Sequence, residues 1–465
     1  MTDLTTTLPA VPVPALVPGS SVRPRPTGPR GPADAVWSAR ARPDAADGEV
    51  TVAGLRLSDL AERFGTPLYV LDEGEFRDRC RAYRRALPQA HVAYAGKAFL
   101  SRAVAAWVRE EGLHLDVCSL GELEVAAAAG FPAERMILHG NAKTPDELRA
   151  ALRFGVGRIV LDNVAEVARL AALVPAHDRQ AVLIRVIPGV EAGAHKAIRT
   201  GTADQKFGLS IEHGAAEDAI ARVLDQPRLE LVGLHCHLGS QITSVRPFLA
   251  ALPRMAALAA RVRDRHGVVL PELDLGGGHG IAYRSGEHAL DPAEFADDVM
   301  RHLVRAYAAV GLPGPQLIVE PGRALIGPAG VAVYRVLVVK RTGDRTFVAV
   351  DGGMNDNPRP ALYGARPELR LIGRAGARTT RTVTVVGRFC EAGDILAPDV
   401  ELPDDVRPGD LLAAPAAGAY QMAMASTYNM VGRPPVVAVR DGRARVIVRR
   451  ETTADLLARD VPLGD

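Results

Sequence analysis

Lys97 sits where an apolar run, "HVAYA" (91–95), gives way to helical spacing in "VAYAGKAFLSRAV" (92–104). A lysine at a strand end can simply reach solvent, but other reactive residues fall at similar junctions. His235 and His237, then Gly239 and Ser240, end "LVGLHCH" (231–237) and its exit. The run "GGGHG" (276–280) follows "PELDLGG" (271–277), and Glu320, Pro321, Gly322 and Arg323 close "QLIVE" (316–320). Glycine-rich turns let backbone N–H groups approach a phosphate. Ser240 adds a hydroxyl donor and Arg323 a charged fork. A lysine beside a phosphate site can form a Schiff base with an aldehyde, which is how pyridoxal phosphate is held. Glu320 beside a pyridine nitrogen would keep the ring protonated and a better electron sink. At 4 Å such a pair is worth about 4 kcal/mol at intermediate dielectric, before desolvation is subtracted.

Other chemistries use the same residue types. His235 and His237 are two apart, hence on one strand face, and H-x-H can be a metal pair or a structural one. His91, His114 and His139 lack paired carboxylates at matching strand ends, so no metal site is expected. "GGGHG" contains a glycine pattern of the dinucleotide type, yet outside a first βα unit that pattern is weak. A purely structural turn would need no serine or arginine nearby, so phosphate is preferred.

These residues need a frame that brings strand ends together. After an outlying run, "TPLYVLD" (66–72), eight strand candidates alternate with helical patterns: 91–95, 113–118, 135–140, 158–162, 181–187, 231–237, 271–277 and 316–320. Helices following the second, third and fourth open with the N-cap candidates Ser119, Thr144 and Asn163. Alternating strands and helices imply parallel βαβ units. Eight such units match an α/β architecture of the (β/α)8 TIM type, in which chemistry belongs at the C-terminal strand ends. A doubly wound open sheet would usually have fewer units and a glycine-rich first turn. Beyond residue 330 strand-rich runs separated by turns such as Asp-Gly predict a C-terminal antiparallel β-barrel or sandwich. The expected division is a disordered proline-rich tail (1–45), a segment joining the β domain (46–72), the cofactor-binding barrel (73–330) and the β domain (331–465).

Composition removes several classes. At 465 residues two domains are the natural expectation. A net charge of +2 with no basic stripe argues against nucleic acid. No apolar run approaches the roughly 20 residues that cross a bilayer. The 4 cysteines are scattered, which disfavours a disulfide framework or zinc knuckle and fits a reducing cytoplasm. Nine prolines before residue 46, with no basic segment preceding the apolar stretch, make a poor signal peptide.

In order, "YAGKAF", "HCHLGSQ", "LDLGGGHG" and "EPGR" resemble the fold-type III, pyridoxal-phosphate-dependent basic amino-acid decarboxylases. Further matching runs are "HGNAK" (139–143), "KFGLS" (206–210), "DGGMNDNPRPALYGA" (351–365), "FCEAGD" (389–394) and "GAY…STYNMVGRP" (418–434), so the likeness spans about residues 50 to 450. The resemblance implies a Schiff-base role for Lys97 and stacking of His237 on the cofactor ring. It implies that Ser240, Gly278, Glu320, Pro321, Gly322 and Arg323 hold phosphate and ring nitrogen, and that Tyr420 reaches phosphate or substrate. Arg323, Arg359, Tyr363 and Glu391 would grip the substrate, and Cys390 would return a proton after CO₂ leaves. It further implies a homodimer in which the β-domain residues complete the partner's site. The implied activity is decarboxylation of meso-2,6-diaminopimelate to L-lysine, with another basic or carrier-linked amino acid as the alternative substrate. Leu120, Gly96, Ala392, Gln421, Met422 and Met424 depart from the usual family residues and leave room for that alternative.

Overall fold

Eight short parallel strands close into a ring in the computed structural model, which describes residues 36–44, 46–190 and 206–463. They are His91–Ala95, His114–Val117, Met136–Leu138, Arg158–Leu161, Gln180–Ile187, Leu229–His235, Glu272–Asp274 and Gln316–Val319. Pairing of Ile318 with His91 and of Val319 with Val92 shuts the barrel. The (β/α)8 expectation therefore holds.

The ring is filled in layers. Ala93, Ile137, Val160, Leu183 and Ile318, one from each of five strands, form a buried apolar plug. Alternate residues share a face, so two positions on the same lines reach Ala95, His139, Asp162, Arg185 and Glu320, all buried. A bulge between Leu231 and Gly233 sets His235 opposite Arg185. Apolar below and charged above, the barrel carries its polar layer at the C-terminal mouth. Ser119, Thr144 and Asn163 each accept a backbone N–H three residues on, capping the helices Leu120–Ala128, Pro145–Phe154 and Val164–Leu173. Such caps are worth about 1 kcal/mol each.

The second domain is a sheet centred on Gly330–Thr342, which pairs with Arg345–Val350, Leu411–Ala414 and, from the other end of the chain, Leu68–Asp72. Most pairings are antiparallel, as expected. Two are parallel, Leu68–Asp72 with Val436–Arg440 and Arg345–Val350 with Thr380–Val386, because these partners are not hairpin neighbours. Glu73, the first residue after the early strand, locks the domains together: its carboxylate meets Arg77 of the barrel and Arg440 and Arg445 of the sheet.

Residues 36–44 differ from the disordered tail read from the prolines. Val36, Trp37 and Ala41 are buried, and Ala41–Pro43 pairs with Val50–Val52. Ser38 donates to Asp72 and Arg40 pairs with Asp78. One aromatic and two small apolar side chains suffice to fasten this stretch, a signal hidden by the proline count upstream. Residues 1–35 lie outside the described residues.

Beneath the segment that carries Arg359, Asp356 is buried in the sheet domain and accepts from the hydroxyls of Tyr69 and Tyr334 at 3.1 Å and from the Gly353 N–H at 2.9 Å. Burial pushes its carboxyl up to about 7, against the pull of those donors. An unfolded aspartate titrates near 3.9. Between about pH 4 and 7 the folded chain thus holds a proton that the unfolded chain has lost. Stability falls as pH rises through that window and levels off above it. Asp356→Asn has no such proton, so from about pH 5 to about pH 8 the wild type should lose a few kcal/mol relative to the variant. Urea unfolding at both values checks this; parallel losses in the two proteins would contradict a protonated Asp356.

Candidate active site

The first strand ends in the short turn Gly96–Ala98, and Lys97 Nζ lies 2.8 Å from Asp116 Oδ2 of the second strand. Gly96 passes close enough to the Asp116 carbonyl that an added Cβ would stand 2.9 Å from it. Burial alone would lower the Lys97 ammonium. The facing Asp116 carboxylate, with Tyr420 and Glu320 behind it, outweighs burial and raises it.

Across the mouth, Glu320 follows the eighth strand. His139 Nε2 stands 2.5 Å from its Oε1 and His235 Nε2 3.5 Å from its Oε2. Burial by itself would raise Glu320, but the two imidazoles outweigh it and hold the carboxyl well below the usual range. Its buried neighbour Asp274 is pushed well above by burial and by the Glu320 charge, so the pair keeps one proton. Burial drives His235 down to about 3, so that ring is neutral. The sequence reading left His139 without a carboxylate. The barrel corrects this, since closure delivers Glu320 and Asp116 from other strands, Asp116 at 3.8 Å. His139, His235, Asp274 and Glu320 offer ligand atoms within 4.8 Å of one another, an arrangement that a cation could also use.

The third wall is built from turns. Gly278 takes a left-handed φ of +91°, and a Cβ there would stand 2.1 Å from the Gly239 carbonyl, so the turns after strands six and seven lie backbone to backbone. Gly277 N–H donates to His237 Nδ1 at 3.2 Å. Burial, and next the Lys97 charge, lowers His237 well below its usual value. Arg323, just beyond Pro321 and Gly322, donates to Ser240 Oγ at 3.0 Å and to the Tyr283 hydroxyl. Its guanidinium also lies 4.6 Å from the Tyr420 ring centre. Tyr420 itself holds a left-handed φ of 57° and donates its N–H to the Ala98 carbonyl at 2.8 Å, which pins it beside Lys97.

Arg359 and Tyr363 lie on the helix Arg359–Tyr363 of the β domain, with Arg359 4.1 Å from the Tyr283 ring centre. Burial lowers the Arg359 guanidinium, and the neighbouring Arg323 charge adds to this. Cys390 and Glu391 stand apart. Both are exposed on the turn between Thr380–Val386 and Ile395–Pro403, where the Cys390 N–H donates to Asn429 Oδ1 at 3.1 Å. Among the described residues no hydrogen bond or ion pair joins them to the Lys97 mouth.

The barrel with its lysine, carboxylate and glycine turns has known counterparts. Residues 73–327 match the family described as pyridoxal-dependent decarboxylase, pyridoxal binding domain. This chain belongs to the pyridoxal-dependent decarboxylases. It is 56% identical to a diaminopimelate decarboxylase of Actinosynnema pretiosum subsp. auranticum over 89% of this chain and 93% of that one. It is 43% identical to a diaminopimelate decarboxylase of Bacillus subtilis over 89% and 96%. The crystal structure of diaminopimelate decarboxylase from M. jannaschii in co-complex with L-lysine superposes with a TM-score of 0.85 at 31% identity, covering 92% of this chain and 98% of that one.

Pyridoxal phosphate is the decarboxylase's cofactor, and the mouth fits it. Among the described residues, Glu320 Oε1 is buried without a well-formed hydrogen bond, so this anionic carboxylate keeps an acceptor for a protonated ring nitrogen. Arg323 Nε, beside Ser240, is likewise buried with no hydrogen-bond partner among the described residues. The sequence offers no role for Asp116, Tyr283 or Asp274, and for His139 only that of a histidine without a carboxylate. Asp116, His139 and Asp274 were findable, because each lies within one residue of the C-terminal end of a barrel strand.

Proposed function

We propose that this chain decarboxylates meso-2,6-diaminopimelate to L-lysine and CO₂, in the cytoplasm, as a homodimer whose two sites each draw on both chains. The observation that carries the substrate assignment is the pair Arg323 and Arg359. Both are buried, and neither forms an ion pair among the described residues. Two uncompensated guanidiniums beside one lysine call for two anions. The cofactor phosphate supplies one and a second substrate carboxylate the other. An ornithine-like or lysine-like substrate, with a bare amine at its far end, would leave Arg359 unpaired.

When bound, the cofactor supplies an aldehyde for the substrate amine and a ring that takes up the electron pair of the broken carbon–carboxylate bond. The protein contributes position and charge. Asp116 Oδ2 accepts a hydrogen bond from the Lys97 ammonium and fixes the direction in which that side chain points. Glu320, kept anionic by His139 and His235, would hold the ring nitrogen. His237, neutral and tied through Nδ1 to the Gly277 N–H, would pack on the ring. Ser240, Gly278, Gly322 and Arg323 would hold the phosphate, with Tyr420 beside them. Arg359 and Tyr363, with the partner chain's copy of Glu391, would hold the distal end, and the copy of Cys390 would supply the proton. Exposed Tyr428, Met430 and Leu362 around that turn fit a surface that a second copy covers.

Measuring CO₂ release with diaminopimelate, ornithine, arginine and lysine tests the reading. Diaminopimelate should be preferred at least about tenfold on kcat/KM, and equal turnover on any of the others would replace it with the alternative substrate.

A further inference from the structure

Tyr283 belongs to none of the roles above, yet both guanidiniums converge on it. Its ring centre lies 4.1 Å from the Arg359 guanidinium carbon and 5.7 Å from that of Arg323. Its hydroxyl accepts from Arg323 Nη1, while Arg323 Nη2 is spent on Ser240. Two like charges in a buried mouth repel, and among the described residues no carboxylate pairs with either guanidinium. An aromatic face attracts each cation without neutralising it, so both stay available to anions.

The backbone that carries Tyr283 is fastened at both ends. Behind it, Gln241 Nε2 donates to the Ile281 carbonyl. Ahead of it, Glu287 accepts the Tyr283 N–H at 2.9 Å, and Ser285 reaches Glu368 of the β domain at 2.9 Å. Tyr283 thereby bridges the glycine turn of the barrel and the helix that bears Arg359.

We infer that Tyr283 is a positioning residue with two separable duties: its hydroxyl orients Arg323 toward the cofactor phosphate, and its ring orients Arg359 toward the distal carboxylate of the substrate. The second duty rests on the diaminopimelate reading above; the first does not.

Two variants of the full-length holoenzyme separate the duties. Tyr283→Phe removes only the hydroxyl. It should weaken pyridoxal phosphate retention about three- to tenfold, read by absorption titration of the cofactor-depleted chain, with KM for diaminopimelate changed less than about twofold. Tyr283→Leu removes the ring as well and should also raise that KM about tenfold or more, with kcat changed less than about threefold. A merely structural residue would lower kcat and thermal stability together and would not split KM from cofactor affinity. Unchanged cofactor affinity in Tyr283→Phe, or a KM unmoved in Tyr283→Leu, overturns the inference. Wild-type turnover on diaminopimelate is the control. If that fails, the substrate reading has failed, while the cofactor titration still judges the hydroxyl's duty.

Discussion

Lys97→Arg should lose CO₂ release by about 10³-fold or more while the protein stays folded. Arginine keeps a positive charge opposite Asp116, which is itself 1% exposed, so the pair is not left as a lone buried carboxylate. A guanidinium stays protonated and cannot bond to an aldehyde carbon. Lys97→Ala should match the activity loss and add a stability cost, because the buried Asp116 then loses its 2.8 Å ammonium partner and keeps His139 at 3.8 Å. Borohydride reduction of the wild-type holoenzyme followed by peptide mass analysis supplies the direct check. The added mass should sit on the peptide spanning Lys97 and be missing from both variants. Turnover within tenfold of wild type in either variant, or an adduct on another lysine, would remove the foundation of the site.

The same pair makes capture of the cofactor depend on pH. Only the free amine attacks an aldehyde, and the carboxylates around Lys97 keep it protonated at neutral pH. A raised folded value means that the reactive amine appears only as the medium becomes alkaline. Loading of the cofactor-depleted wild type should therefore quicken as pH rises above about 7, and Asp116→Asn should shift that curve toward lower pH.

Which parts of this site a sequence reader can see depends on how far apart the chain places them. Lys97, Ser240, Gly278 and Arg323 stand at the ends of β-rich runs, and the barrel rule puts such ends in one place. Asp116 and His139 obey the same rule but sit inside the ordinary-looking runs "LHLDVC" and "RMILHG". Stepping by two from the apolar plug would have found His139, Asp162 and Arg185, since Ile137, Val160 and Leu183 precede them on the same face. Tyr283 has no such signal. Its partners Arg323 and Arg359 are 40 and 76 residues away and meet it only after two domains dock. The early residues 36–44 failed for the opposite reason, because nine prolines masked one tryptophan that packs.

Cys390 and Glu391 were legible only through family likeness, and a single chain leaves them exposed, which makes the dimer the quantity to test. Cys390→Ala should lower kcat by about 10²–10⁴-fold with little change in stability, since an exposed thiol buries almost nothing. If Cys390 serves the partner's mouth, a dimer of one Lys97→Arg chain and one Cys390→Ala chain has both defects in the same site and none in the other. Random reassembly of equal amounts makes half the dimers hybrid, each with one intact site, so about one quarter of wild-type turnover should return. Two variants that are each nearly dead would then rescue one another. No recovery after verified subunit exchange would mean that each site takes its cysteine from its own chain or from no cysteine at all. The exposed turn would have to fold inward by a movement that its anchors oppose, for Asp394 holds the N–H groups of Met354 and Phe389 at 2.7 and 2.9 Å. Those anchors hold the turn at the surface of its own chain, so a catalytic Cys390 there requires a second chain to bring its mouth to the thiol, and recovery in the hybrid is the result that this arrangement demands.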